Sequence, residues 1–82
     1  MVRAVYSNNF KERFGKIKDN STKEKVIKHL EKIKNSQEIG KPMKYNRKGT
    51  REVYVPPFRL SYSFVLEEDT IYFLDLYHKD EQ

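Results

Sequence analysis

Apolar residues along this chain follow more than one rhythm. Val2 to Tyr6 reads Val-Arg-Ala-Val-Tyr, a short strand that runs into Ser7, Asn8 and Asn9. Those three carry short side-chain oxygens that accept from the unpaired N–H groups of a first helical turn, so a helix start is expected there. Phe10, Phe14 and Ile17 then recur at i, i+4 and i+7, the stripe of an amphipathic helix. Gly15 weakens that helix, and Asp19-Asn20 reads as its end. Ser21-Thr22-Lys23-Glu24 fits a capping box, in which Ser21 and Glu24 satisfy each other's backbone donors. Val26, Ile27, Leu30 and Ile33 give a second helix its buried stripe, closed by Asn35-Ser36. Two helices joined by a few residues predict an antiparallel hairpin.

Beyond residue 50 the period falls to two. Arg51-Glu52-Val53-Tyr54-Val55, then Phe58 to Leu66, then Thr70 to His78 are three aromatic and β-branched runs. Pro56-Pro57 and the acidic turn Glu67-Glu68-Asp69 separate them, the pattern of an antiparallel meander. Alternation in the middle run sets Phe58, Leu60, Tyr62 and Phe64 on one face and Arg59, Ser61 and Ser63 on the other. In the preceding run, Arg51 faces one way and Glu52 and Tyr54 the other. Ile39-Gly40-Lys41-Pro42-Met43 reads as the turn out of the helices, and Lys44 to Lys48 as a short strand or loop. The order is β-α-α-β-β-β: an α+β fold with an N-terminal strand, a helical hairpin and a three- to four-stranded, mainly antiparallel sheet. The first strand returns to pair within the sheet, beside a neighbour the sequence does not specify.

Eighty-two residues make one domain, 1–82, able to bury about 60–65% of its unfolded surface. With 37% hydrophobic residues, much of the core falls to the five Phe and six Tyr. No cysteine is present, which excludes disulfides and thiolate metal sites and suits a cytoplasmic protein. No apolar run resembles a signal peptide or is long enough to span a bilayer. The net charge of +5 has a local origin. Lys41, Lys44, Arg47, Lys48 and Arg51 have no acid among them, and removing them from the 17 basic residues leaves 12, equal to the acidic count of 12. A concentrated basic segment beside a sheet points to a polyanion such as nucleic acid; a solvated lysine-rich loop is the plain alternative.

Arg59 is the chief candidate for chemistry, a guanidinium on a small polar face, with a structural ion pair to Asp75 as the competing reading. Asp75, amid apolar residues, is either a partner for a cation or part of a site. Tyr54, Tyr62 and Tyr72 read as sheet packing. His29, beside the apolar stripe of the second helix, reads as a surface or boundary residue.

The order of elements and the passages Ile-Gly-Lys-Pro-Met, Gly-Thr-Arg-Glu-Val-Tyr-Val and Phe-Arg-Leu-Ser-Tyr resemble the RelE/ParE toxin superfamily over essentially the whole chain. The closing Tyr77-His78-Lys79-Asp80 is similar to the short polar tail of many members. The resemblance implies the toxin of a type II toxin–antitoxin pair, either an mRNA interferase or a gyrase inhibitor. RelE-like members cleave mRNA, usually on the ribosome, without a metal or other cofactor. The 2′-hydroxyl attacks its own 3′ phosphate, leaving a 2′,3′-cyclic phosphate and a free 5′-hydroxyl. That reaction needs a proton acceptor, a cation for the phosphorane and a proton donor for the leaving oxygen.

Carried over residue by residue, Arg59 matches the arginine of the family's Tyr-Arg strand motif and stands for the phosphate-stabilising cation. Arg51 lies near the lysines of the neighbouring family strand. His78 stands for the general base or acid, Lys79 for a substitute charge stabiliser, and Tyr77 for a stacking or proton-donating group. Lys41, Lys44, Arg47 and Lys48 stand for RNA binding. The implied partners are a cognate antitoxin, mRNA and the ribosome, with no membrane; the toxin alone would be a monomer and its antitoxin complex a higher-order assembly. Pro56-Pro57 departs from the family's frequent Gly-Asp turn, and the chain lacks the longer tail in which some members carry a tyrosine. Three function classes stand: a metal-independent endoribonuclease, a ParE-like inhibitor of DNA gyrase, and an inactive nucleic-acid or antitoxin-binding module.

Overall fold

The computed structural model describes residues 2–36, 41–42 and 50–78. In chain order they form β1 (Arg3–Tyr6), α1 (Asn8–Gly15), α2 (Asn20–Asn35), β2 (Lys41–Pro42), β3 (Arg51–Val55), β4 (Phe58–Val65) and β5 (Thr70–His78). One sheet holds all five strands in the order β1-β5-β4-β3-β2. β3, β4 and β5 are the expected antiparallel meander. The first strand pairs parallel to β5, with Ala4 opposite Ile71 and Tyr6 opposite Phe73. An extra edge strand does exist, but at Lys41–Pro42, which pairs antiparallel with Glu52 and Arg51 where a turn was expected. The turn residues Ile39, Gly40 and Met43 and the segment Lys44 to Lys48 lie outside the described residues.

Ser7 anchors the first helix to the sheet. Its Oγ accepts from the Phe10 N–H at 3.0 Å as the N-cap of α1, and its hydroxyl donates to the Leu74 carbonyl at 2.5 Å. The Ser7 N–H also donates to the Phe73 carbonyl at 2.9 Å. Both helix boundaries that follow differ from the sequence reading. α1 stops at Gly15, so Ile17 lies beyond the helix although it is buried. Asp19 begins the next helix rather than ending the first. Its carboxylate accepts from the Ser21 N–H at 3.1 Å and the Thr22 hydroxyl at 2.7 Å, so Asp19 takes the capping role expected of Ser21. These bonds hold the Asp19 carboxyl below its ordinary value of 3.8, the Thr22 hydroxyl contributing most.

The core lies between the helices and one sheet face. Phe10, Ile17, Val26, Leu30 and Ile33 meet Val55, Leu60, Tyr62, Ile71, Phe73 and Leu76. Each such side chain contributes about 1.5–3 kcal/mol on burial. Phe73 sits at the centre, stacked on Tyr6 at 5.1 Å between ring centroids and tilted against Phe10 and Tyr62. Ile27, expected in the buried stripe, is 46% exposed. Strict alternation would not bring both Phe73 and Leu76 to this face. Between Ser61/Tyr62 of β4 the partner on β5 jumps from Asp75 to Phe73, leaving Leu74 as an extra residue. That bulge inverts the parity of β5, and Phe73 and Leu76 are both fully buried.

Among the described residues, no helix is long and apolar enough to cross a membrane.

Candidate functional site

The register of the β3–β4 hairpin decides what stands beside Arg59. Pro56 and Pro57, joined by a cis peptide, make a two-residue connection, so Val55 pairs with Phe58 and Tyr54 with Arg59. Residues directly paired across strands share a face. Leu60, Val53 and Leu76 therefore face the core, and Glu52, Tyr54, Arg59, Ser61, Asp75 and Tyr77 line the opposite face.

On that opposite face three side chains converge. Arg59 Nη1 donates to Glu52 Oε1 at 3.0 Å, and the Tyr77 hydroxyl donates to Glu52 Oε2. The guanidinium also lies 6.0 Å from the centroid of the Tyr54 ring, itself 49% exposed. The Glu52 side chain is only 6% exposed, whereas that of Arg59 is 35% exposed. Arg59 Nε is buried without a hydrogen-bond partner. A guanidinium that meets a carboxylate through one terminal nitrogen leaves half of its planar fork unused.

The ion-pair partner is thus Glu52 on β3 and not Asp75. Asp75 Oδ1 instead accepts from the Leu76 N–H at 2.8 Å, holding the bulged backbone. Tyr77 stands directly across from Arg59. His78 does not join them: paired with Phe58, it sits on the core-side face, its ring edge-on to that of Phe58 at 5.9 Å. Arg51, paired with Tyr62, also falls on the core-side face. Lys41 lies on the edge strand β2. Lys44, Arg47, Lys48 and Lys79 lie outside the described residues. His29 is half-buried and its Nδ1 turns back onto its own helix, 2.8 Å from the Lys25 carbonyl.

Of the tyrosines read as packing, Tyr62 is fully buried, while Tyr54 is exposed and Tyr72 donates to Glu68 Oε1 at 2.5 Å. That bond to a carboxylate raises the Tyr72 hydroxyl above its ordinary value. Glu52 was the residue missed. The signal for it was the two-residue Pro-Pro connection, which sets an acid at Glu52 diagonally across from Arg59.

A second feature lies on the helical side, an apolar cleft of about 390 Å³ lined by Tyr6, Phe10, Phe14, Ile27 and Leu30. Lys11, Glu31 and Lys34 rim it. The Tyr6 hydroxyl beside Lys34 holds that ammonium above its ordinary value, with Glu31 adding to the effect. Among the described residues, no three His, Asp or Glu side chains are grouped to hold a metal ion.

Residues 5–82 match the sequence signature of a family described as ParE toxin of type II toxin-antitoxin system, parDE. A search of curated proteins returned no match. Among solved structures, the chain is similar to a chain of the intact Escherichia coli RelBE toxin–antitoxin complex, with TM-score 0.82 and 14% identity over 100% of both chains. It is similar to a YoeB/ParE toxin from Agrobacterium tumefaciens, with TM-score 0.84 and 13% identity over 94% of this chain and 98% of that one. A chain of a RelBE toxin–antitoxin complex from Mycobacterium tuberculosis gives TM-score 0.82 and 18% identity over 95% and 98%.

Proposed function

The chain belongs to the ParE/RelE toxin family of type II toxin–antitoxin systems, and on that premise we propose that it is an endoribonuclease that cleaves mRNA without a metal. The observation that carries this reading is the pairing of Arg59 with Tyr77 across adjacent strands, on the sheet face away from the core. The 2′-oxygen forms a bond to its own 3′ phosphorus while the bond from phosphorus to the 5′ oxygen breaks. Arg59 faces the phosphate and balances the second negative charge that grows on the phosphorane. Tyr77, directly across from Arg59 on the neighbouring strand, returns a proton to the departing 5′ oxygen. The proton leaving the 2′-hydroxyl is assigned to His78, which requires the RNA to pass round the end of β5 because His78 stands on the other face. The cations Lys41, Lys44, Arg47, Lys48, Arg51 and Lys79 draw the RNA backbone in by charge.

The expected partner is a cognate antitoxin, since similar structures are toxin–antitoxin complexes. The apolar cleft, with Lys11 and Lys34 at its rim, suits an amphipathic segment with acidic flanks.

The test is cleavage of a translated message by purified protein in excess chelator, on ribosomes and off them. The wild type is expected to yield 5′-hydroxyl and 2′,3′-cyclic phosphate ends, and Arg59→Ala to lose about 10²-fold in rate. Equal rates in the two proteins would overturn the assignment of Arg59. A second reading, inhibition of DNA gyrase without RNA chemistry, is favoured by the ParE signature and by the carboxylate that already occupies Arg59.

A further inference from the structure

We infer that Glu52 is an intramolecular competitor for Arg59, a carboxylate that occupies the phosphate site until a nucleic-acid phosphate displaces it. The inference rests on the RNA-cleaving reading above and concerns the regulation of that same site. Three observations carry it. The Glu52 side chain is 6% exposed and is gripped at both oxygens, by Arg59 Nη1 and by the Tyr77 hydroxyl. It is therefore a placed counter-ion and not a solvated surface acid. Arg59 is 35% exposed, so an incoming anion reaches the guanidinium from the solvent side. The guanidinium meets Glu52 through one terminal nitrogen while its Nε is left buried and unpartnered. A tetrahedral phosphate that accepts end-on from Nη1 and Nη2 makes two parallel bonds at the guanidinium end where Glu52 makes one, through Nη1. The two arrangements of Arg59 then differ in hydrogen bonding, and a phosphate has a physical reason to win. The half-exposed Tyr54 ring beside Arg59 offers a face on which the adjoining base stacks.

Replacing Glu52 with Gln keeps the shape and the acceptor for Tyr77 but removes the competing charge. The experiment measures binding of a short single-stranded oligodeoxynucleotide, which lacks the 2′-hydroxyl and is not cleaved, across a salt series. Glu52→Gln is expected to bind on the order of tenfold more tightly than wild type. Its slope of log K against log salt should match that of the wild type, because the phosphate contact to Arg59 forms in both complexes once Glu52 is displaced or neutralised. In an Arg59→Gln background the same change should have no effect. Should Glu52→Gln fail to fold, Glu52→Met removes the same charge with similar volume and is expected to act alike.

Equal tightening with and without Arg59 would mean a general field effect and overturn the inference. So would unchanged affinity in Glu52→Gln while Arg59→Ala still abolishes RNA cleavage, which leaves the nuclease reading intact. Absence of binding in every variant, together with cleavage indifferent to Arg59→Ala, would overturn both.

Discussion

Arg59 and Asp19 show how the same kind of bond does different work at different places. Arg59 meets its carboxylate on the sheet, next to exposed tyrosine and against a mostly buried acid. Asp19 meets hydroxyl and amide donors at the start of α2, in full contact with water. Because the folded Asp19 carboxyl lies below its ordinary 3.8, its contribution to stability is complete above that value and is lost as pH falls through the lower folded value. Wild type should therefore lose thermal stability below about pH 4, and Asp19→Asn should show a flatter acid limb in the same melting series. Identical limbs would remove Asp19 from the acid sensitivity. At this scale the alternation of β4 was enough to single out Arg59 from the sequence. Its partner was not found, because Asp75 looked like the nearest candidate across β5. Counting outward from Pro56-Pro57 leads to Glu52 instead, and the bulge at Leu74 turns Asp75 to a backbone donor.

Among the elements, the junction of β1 and α1 is the most economical joint. One serine caps the helix, bonds the bulged carbonyl of β5 and fixes the parallel pairing of β1. Ser7→Ala removes the cap and leaves the Leu74 carbonyl without that donor. A loss of about 1–2 kcal/mol is expected in urea unfolding, read as a lower midpoint at unchanged slope. No shift would mean that water replaces both bonds. Most of the element order was readable because apolar period and turn residues agree in each segment. The misreadings occurred where one local signal had two uses. Asp19-Asn20 serves equally as a stop and a start, and Gly15 ended α1 before Ile17 continued its stripe. The bulge has no composition of its own, so the parity change in β5, and with it the opposite placement of Arg59 and His78, was not legible in sequence.

For the molecule as a whole, the two faces of the sheet divide the labour. One face and both helices make the core, with the apolar cleft on its helical side. The other face carries Glu52, Arg59 and Tyr77. In the proposed account an antitoxin engages the first region and RNA the second, and the excess of five positive charges between residues 41 and 51 supplies the attraction. The family resemblance in the chain's motifs agreed with the fold, whereas the choice between RNA and a protein target rests on chemistry that strand patterns do not encode. The most direct measurement is induced expression in a bacterial host with mapping of mRNA 5′ ends, comparing wild type with Arg59→Ala. The account predicts growth arrest with new 5′-hydroxyl ends in translated messages, reduced about 10²-fold in the variant. Growth arrest with no new ends, in wild type and variant alike, would contradict it.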